Sequence, residues 1–510
     1  MNRRFMACAL AGAVITVLFA GCIPDKPEGR IFCTGRLPKL YPDYTGIVIP
    51  PNIAPLNFTI MEKGSRFHVS LRTPGGRSYQ ISSKQPEIMI PAKAWQSLLE
   101  SGGKRQIQID VFTCDKGVWE KYRTFTDTVA AEPVDPYLVY RKINICVKWM
   151  NMGIFQRNTG TFTEKPLVSS SDLPRACMNC HSFRCGNPEE MIVQLRSGDL
   201  GTPMLIGWTD GRKGRMSAVD TKTFFTSGKA GFTAWHPAAG IVVFSVNSFG
   251  MLYHTAAQEV GDVFDQSSDL ALYRTDSGSI ERIDSTARPD RLETMPEWSP
   301  DGRYLYFCSA PCVAQESYDS VRCDIMRISY DRSTGAWGRP DAVLTAERAG
   351  GSCTQPRISP DGRFMLVTHS RYSDFPIHQA RSHLCMVALG SGAISVIDST
   401  GNFNDAWHCW SRNGRWIVFS SKRMDRRFTR PFFSYVSENG TVHKPFVMPQ
   451  YDPAYYQSCI LSYNIPEFIT GPVTGMPGKF VGAAHLKNHK AGGTASASAP
   501  SGQHPAGDAE

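Results

Sequence analysis

The 510 residues carry 55 basic and 46 acidic side chains, a formal charge of +9, yet no run of five or six like charges occurs anywhere. That absence excludes a basic arm of the kind that binds nucleic acid. Beyond the N-terminus, no apolar run is long enough to cross a bilayer as a helix. No phosphate loop, Ser/His/Asp set or paired-carboxylate motif is specific enough to name, and no His or acidic cluster with metal-ligand spacing occurs in the C-terminal two-thirds. What is present is a globular composition, 42% hydrophobic and 20% charged, in a chain too long for one core. Two or more domains are expected.

Arg3 and Arg4 precede an apolar run from Phe5 to Ala20, a signal peptide pattern over residues 1–21. The end of that run, "LFAGC" at Leu18–Cys22, resembles the lipobox of bacterial lipoproteins. The resemblance implies cleavage before Cys22, lipidation of its thiol and attachment to a membrane surface facing the periplasm or the cell exterior. An exported chain meets an oxidising compartment, which permits disulfides and is where c-type haem is attached. Ten of the 15 cysteines are scattered, and spacing assigns them no pairing.

After a linker over 22–40, residues 41–135 read as a small β-sandwich-like domain. Phe67, Val69 and Leu71 alternate with polar residues, "TPGGR" turns the chain, and Tyr79 and Ile81 resume the alternation. A second hairpin is expected around Asp115–Gly117, and "PAKAWQSLLESGG" reads as a short helix between the two. Residues 136–190 are mixed in pattern and read as a connection.

From 191 to 470 the chain repeats. "TAWHPAAGIVVFSVNS" from Thr233, "PEWSPDGRYLYFCSA" from Pro296, "PRISPDGRFMLVTHS" from Pro356 and "HCWSRNGRWIVFSSK" from His408 each place a tight turn before an apolar strand. Strands apolar on both faces must be covered on both sides. Four strands per unit at this period are the pattern of propeller blades, with "PMLIGWTDGRKGRMSAVD" supplying another blade and "SCILSYNIPEF" closing a ring of about six. These residues resemble the WD-like, Pro-Asp-rich repeats of TolB-type β-propellers. The fold class expected is all-β. Residues 471–510, rich in Ala, Gly, Ser and Pro, are expected to form a disordered tail in which His485, His489 and His504 are solvated.

One stretch carries chemistry: "CMNCHSFRC" at 177–185. In CxxCH, two thiols three positions apart on a helical turn can reach the vinyl-derived carbons of one haem while the adjacent imidazole faces the iron. Cys177 and Cys180 are thus the expected attachment points of a single covalent haem c, and His181 the proximal ligand. A zinc site of Cys177, Cys180, His181 and Cys185 is the alternative, although it crowds four ligands into nine residues and lacks a distant second pair. The second axial ligand is not readable. His236, which replaces the serine of the related turns, ranks first, with His254 and Met204 as further candidates.

The order of lipobox, β-rich leader, "DLPRACMNCHSF", a propeller containing "AWHP" and a late "SYNIPEF" resembles a family of bacterial lipoproteins described as TolB-like or as cytochrome c biosynthesis-related. The resemblance implies architecture more than activity. The residues make the chain a haem client and not a haem-attaching machine. The expected function is electron transfer in the cell envelope, with the redox partner or envelope proteins unidentified. A non-enzymatic scaffold for envelope proteins and a haem-dependent oxidoreductase are the alternatives.

Overall fold

Alternation in the leader becomes a sheet. Arg66–Arg72 pairs antiparallel with Ser78–Ser83, setting Val69 opposite Ile81, and pairs along its other edge with Gln106–Asp115. The latter turns at Lys116 and Gly117 into Val118–Lys121 and also pairs with Phe125–Val129. Seven strands form this sheet, and Leu40–Tyr41, Phe58–Ile60 and Glu87–Ile88 form a smaller one of three. The expected helix spans Ala92–Leu99 and buries Trp95 and Leu98, one turn apart.

The protein is described by a computed structural model over residues 26–100, 105–144, 152–173, 175–209, 214–253, 261–379, 381–398, 401, 403–474, 477–485, 489–490 and 492–494. The expected signal peptide, Cys22, His254 and His504 lie outside the described residues.

The remainder is a β-propeller of six sheets. Its inner strands are β1 (Ala176–Phe183), β2 (Ala230–Trp235), β3 (Arg291–Trp298), β4 (Ser352–Ile358), β5 (Asp405–Trp410) and β6 (Leu461–Ile469). Each inner strand lies against the next, and β6 lies against β1, so the ring closes. The sixth sheet is a composite: β6 pairs antiparallel with Tyr137–Asn144, which is followed outward by Gly153–Asn158 and Glu164–Ser169. Pairing the late strand with an early one avoids an open apolar edge. The "SYNIPEF" stretch closes the ring in this way.

Two expectations are corrected. Residues 136–190 are not a connection: they supply three strands of the sixth blade and, with CMNCH, the inner strand of the first. Their mixed pattern reflects a sheet that one strand from far along the chain completes. The tail is ordered in part, since Pro477–His485 is a helix whose Phe480, Ala483 and Ala484 are buried between the sixth and first blades, at one-turn spacing. His489–Lys490 and Gly492–Thr494 add short parallel strands to the edges of the first two blades.

The repeated turn has a repeated cause. Ser299 Oγ donates to Asp301 Oδ1 at 2.6 Å and accepts from the Tyr304 amide at 2.9 Å, while Gly302 takes φ 71°. Ser359 with Asp361 and Ser411 with Asn413 make the same clasp at 2.6 Å each. The leader is fused to the fifth blade by one apolar core that contains Ile49, Trp95, Trp416, Phe433 and Phe446, and Trp416 Nε1 donates to the Glu132 carbonyl at 2.9 Å.

Candidate functional site

All six inner strands are interrupted at one level, where two residues oppose one on the neighbouring strand. The bulged pairs are Asn179–Cys180, Gly231–Phe232, Met295–Pro296, Gln355–Pro356, Trp407–His408 and Ile465–Pro466. Met295, Gln355, Trp407 and Ile465 take left-handed φ of 52°, 56°, 54° and 51°. Non-glycine residues in that region cost roughly 1–3 kcal/mol each and cluster where a fold re-aims side chains. Proline follows three of the four because a bulge leaves an amide outside the ladder.

The ring encloses a cavity of about 400 Å³ lined by residues of every inner strand. It runs from the strand-end turns at Pro237, Pro300 and Pro360 to Phe232 and Trp407. These two rings come from opposite blades and meet across the channel, with centroids 5.6 Å apart and planes 30° apart.

CMNCH lies on β1, in extended backbone, not on a helical turn. In a regular strand, residues three apart face opposite ways. Here the bulge at Asn179–Cys180 adds one residue between Met178, opposite Leu195, and His181, opposite Val193, so Cys177 and Cys180 share a face. Both thiols are free, and burial pushes both pKa values up against the pull of Arg141 and Arg196. Cys180 and His181 both line the cavity. His181 shares the other face with Met178 and Phe183, toward the sixth blade. The residue is 2% exposed, and among the described residues neither ring nitrogen makes a well-formed hydrogen bond, although the Val139 backbone is close enough to favour the protonated ring slightly. Burial, reinforced by Arg141, lowers its pKa to about 3, so the imidazole is neutral and able to ligate.

Two thiols at CxxCH spacing and a neutral imidazole without a well-formed hydrogen bond fit a covalent haem in kind. The strand conformation differs from the helical turn expected. Among the described residues, no set of three or more His, Cys, Asp or Glu side chains is arranged to hold a metal ion, so the zinc alternative with Cys185 finds no support. Cys185 is exposed, and its carbonyl accepts from Arg412 Nη1 at 2.7 Å.

Of the distal candidates within the described residues, neither His236 nor Met204 reaches this place. His236 closes the turn after β2 in the serine's stead: its Nδ1 accepts from the Ala238 amide at 3.0 Å, its Nε2 meets the Gly302 carbonyl at 3.2 Å, and Trp298 packs edge-on against its ring. Both nitrogens are engaged, which corrects its first rank. Met204 lies in the apolar core between the first and second blades, on a strand two removed from the channel.

Sequence reasoning missed three charged residues in the cavity. Glu297, Arg357 and Glu467 follow the bulges of β3, β4 and β6, at the level of His181. Arg357 Nη1 donates to Glu297 Oε2 at 2.7 Å, their side chains 34% and 24% exposed to the channel. Glu467 Oε1 accepts from the Phe183 amide at 2.9 Å. Burial pushes the Glu467 carboxyl up to about 8, against that amide and Arg357. The one signal for them in the sequence was the proline just before each glutamate or arginine, in "MPEW", "QPRI" and "IPEF".

No protein-family model matches the chain, and no curated protein matches it. Among solved structures, it is similar to a luciferin-regenerating enzyme at 12% identity, over 61% of this chain and 87% of that one, with a TM-score of 0.37. An oligogalacturonate lyase from Vibrio parahaemolyticus aligns at 10% identity over 66% and 85%, with a TM-score of 0.36. A structure described as a 6-phosphogluconolactonase from Bacteroides uniformis aligns at 13% over 78% and 99%, with a TM-score of 0.32.

Proposed function

We propose that this chain is an exported, lipid-anchored propeller protein of the TolB-like kind that holds one haem c through Cys177 and Cys180, with His181 as proximal ligand, and passes electrons in the cell envelope. The observation that carries the reading is the buried His181 imidazole, neither nitrogen in a well-formed hydrogen bond, next to two thiols that a bulge brings onto one strand face. A buried polar group left unpaired costs about 1–3 kcal/mol; the His369 imidazole is unpaired likewise, so it is the adjacency of His181 to the two thiols that supports the reading. The strand keeps imidazole and thiols on opposite faces, so a haem held by both requires the ring to reorient, against packing and a weak Val139 backbone contact. When bound, a haem supplies a one-electron couple whose potential follows its ligands and surroundings. The chain's part is to keep that centre against rigid inner strands and to anchor it at the membrane through Cys22.

A haem-dependent oxidoreductase is the second reading. The cavity beside Cys180, with Glu297 and Arg357 in its wall, favours it, because a simple carrier has no need of one.

Protein produced with a haem-attaching system is expected to show a c-type pyridine haemochrome and a peroxidase-stained band, both lost in Cys177→Ala/Cys180→Ala. An unchanged spectrum in that variant sinks the reading. Carbon monoxide binding by the reduced protein selects the oxidoreductase, and a ligand-insensitive low-spin spectrum selects the carrier.

A further inference from the structure

Among the described residues, the one hydrogen-bond partner of the Arg357 guanidinium is Glu297, through Nη1. With five N–H donors and about a third of the side chain open to the channel, the remaining edge faces the cavity. Glu467, on the sixth blade, is close enough to interact with both members of the pair, and burial favours its protonated form. The wall therefore combines a guanidinium, the Glu297 carboxyl group paired with it, and the Glu467 carboxyl group, whose Oε1 accepts from the Phe183 amide and whose proton burial favours. Toward the channel's middle, Phe232, Trp407 and Ile465 are apolar and partly exposed.

We propose that the channel binds a small monocarboxylate with an apolar or aromatic tail, its carboxylate on Arg357 and Glu467 and its tail on Phe232 and Trp407. A guanidinium edge with spare donors next to a neutral carboxylic acid offers hydrogen bonds to a planar acceptor. About 400 Å³ lies within the range of small-molecule sites. A cationic ligand would face Arg357, and a neutral alcohol would leave the guanidinium edge only partly satisfied. None of the four contacts belongs to CMNCH, but Cys180 and His181 line the same cavity, so the binding test uses protein made without haem.

Benzoate, benzyl alcohol and benzylamine are the probes, titrated calorimetrically into the full chain made without a haem-attaching system. Benzoate is expected to bind, and the other two to bind at least ten-fold more weakly. Arg357→Gln should weaken benzoate about 10–100-fold, the loss of one charge-assisted pair. Because that change could impair folding, Glu297→Gln gives the opposite sign: it removes the competing carboxylate and should tighten benzoate several-fold. Equal binding of alcohol and acid, preference for the amine, no binding of any probe, or weaker benzoate binding in Glu297→Gln each overturns the proposal. None of these results bears on the haem spectrum, which is read on separately matured protein.

Discussion

His181 on β1 and Arg357 on β4 occupy the same place in the propeller, the first residue after the bulge, yet they have opposite fates. The imidazole is buried in the channel wall with no well-formed hydrogen bond, whereas the guanidinium is partly open to the channel and is paired with Glu297. Repetition therefore fixes where a side chain leaves the backbone and not what it does there. A partnerless group at such a position points to something the fold itself does not supply, and the paired guanidinium still keeps donors that Glu297 does not take.

The largest effect should come from the third residue at this level, Glu467. Its carboxyl is raised from 4.5 to about 8 in the folded protein, chiefly by burial, so the folded state holds a proton that the unfolded state has released. Stability then falls as pH rises from the unfolded value through about 8, by at most about 1.4 kcal/mol per pH unit. Glu467→Gln stays neutral and should flatten that slope. Urea midpoints between pH 5 and 8 measure it, and parallel slopes in the two proteins would refute the assignment.

Arg357→Leu comes next. It strands Glu297 in the channel, and the loss should be about 2–3 kcal/mol, below the cost of breaking a fully buried pair because channel water reaches both groups. His181→Leu should do the reverse in haem-free protein, giving about 1–2 kcal/mol by replacing an unsatisfied imidazole with an apolar group of similar volume. Thermal melts of the two variants test the contrast directly. Destabilisation by His181→Leu as large as that by Arg357→Leu would mean that the imidazole has a structural role.

The two sites also differ in how far the sequence revealed them. CMNCH was legible because covalent attachment constrains residues that are neighbours in the chain. The Arg357–Glu297 pair joins residues 60 positions apart, and only ring closure brings Glu467 to them. The blades were legible from "SPDG" because the turn is local, and the closing strand from "SYNIPEF", whereas the other three strands of the sixth blade were not, because Tyr137–Asn144 is completed by Leu461–Ile469 from the other end of the propeller. His236 misled for a related reason. It departs from the serine of the other turns, which resembles a functional signature, but its Nδ1 takes a turn amide as the serine hydroxyl does elsewhere.

That equivalence sets the smallest effect. In the third blade's turn, the hydroxyl of Ser299 joins Asp301 and the Tyr304 amide, and Ser359 does the same in the fourth with Asp361 and the Phe364 amide. Ser299→Ala and Ser359→Ala each remove one acceptor from an amide near the surface, and each should cost about 1 kcal/mol. If the turns are independent copies of one device, the double variant should cost the sum, since the two clasps share no partner. A double-variant loss well above the sum would show instead that neighbouring turns support one another around the ring. Denaturant midpoints of the two single variants and the double variant decide between these outcomes, provided the dependence on denaturant keeps the same slope.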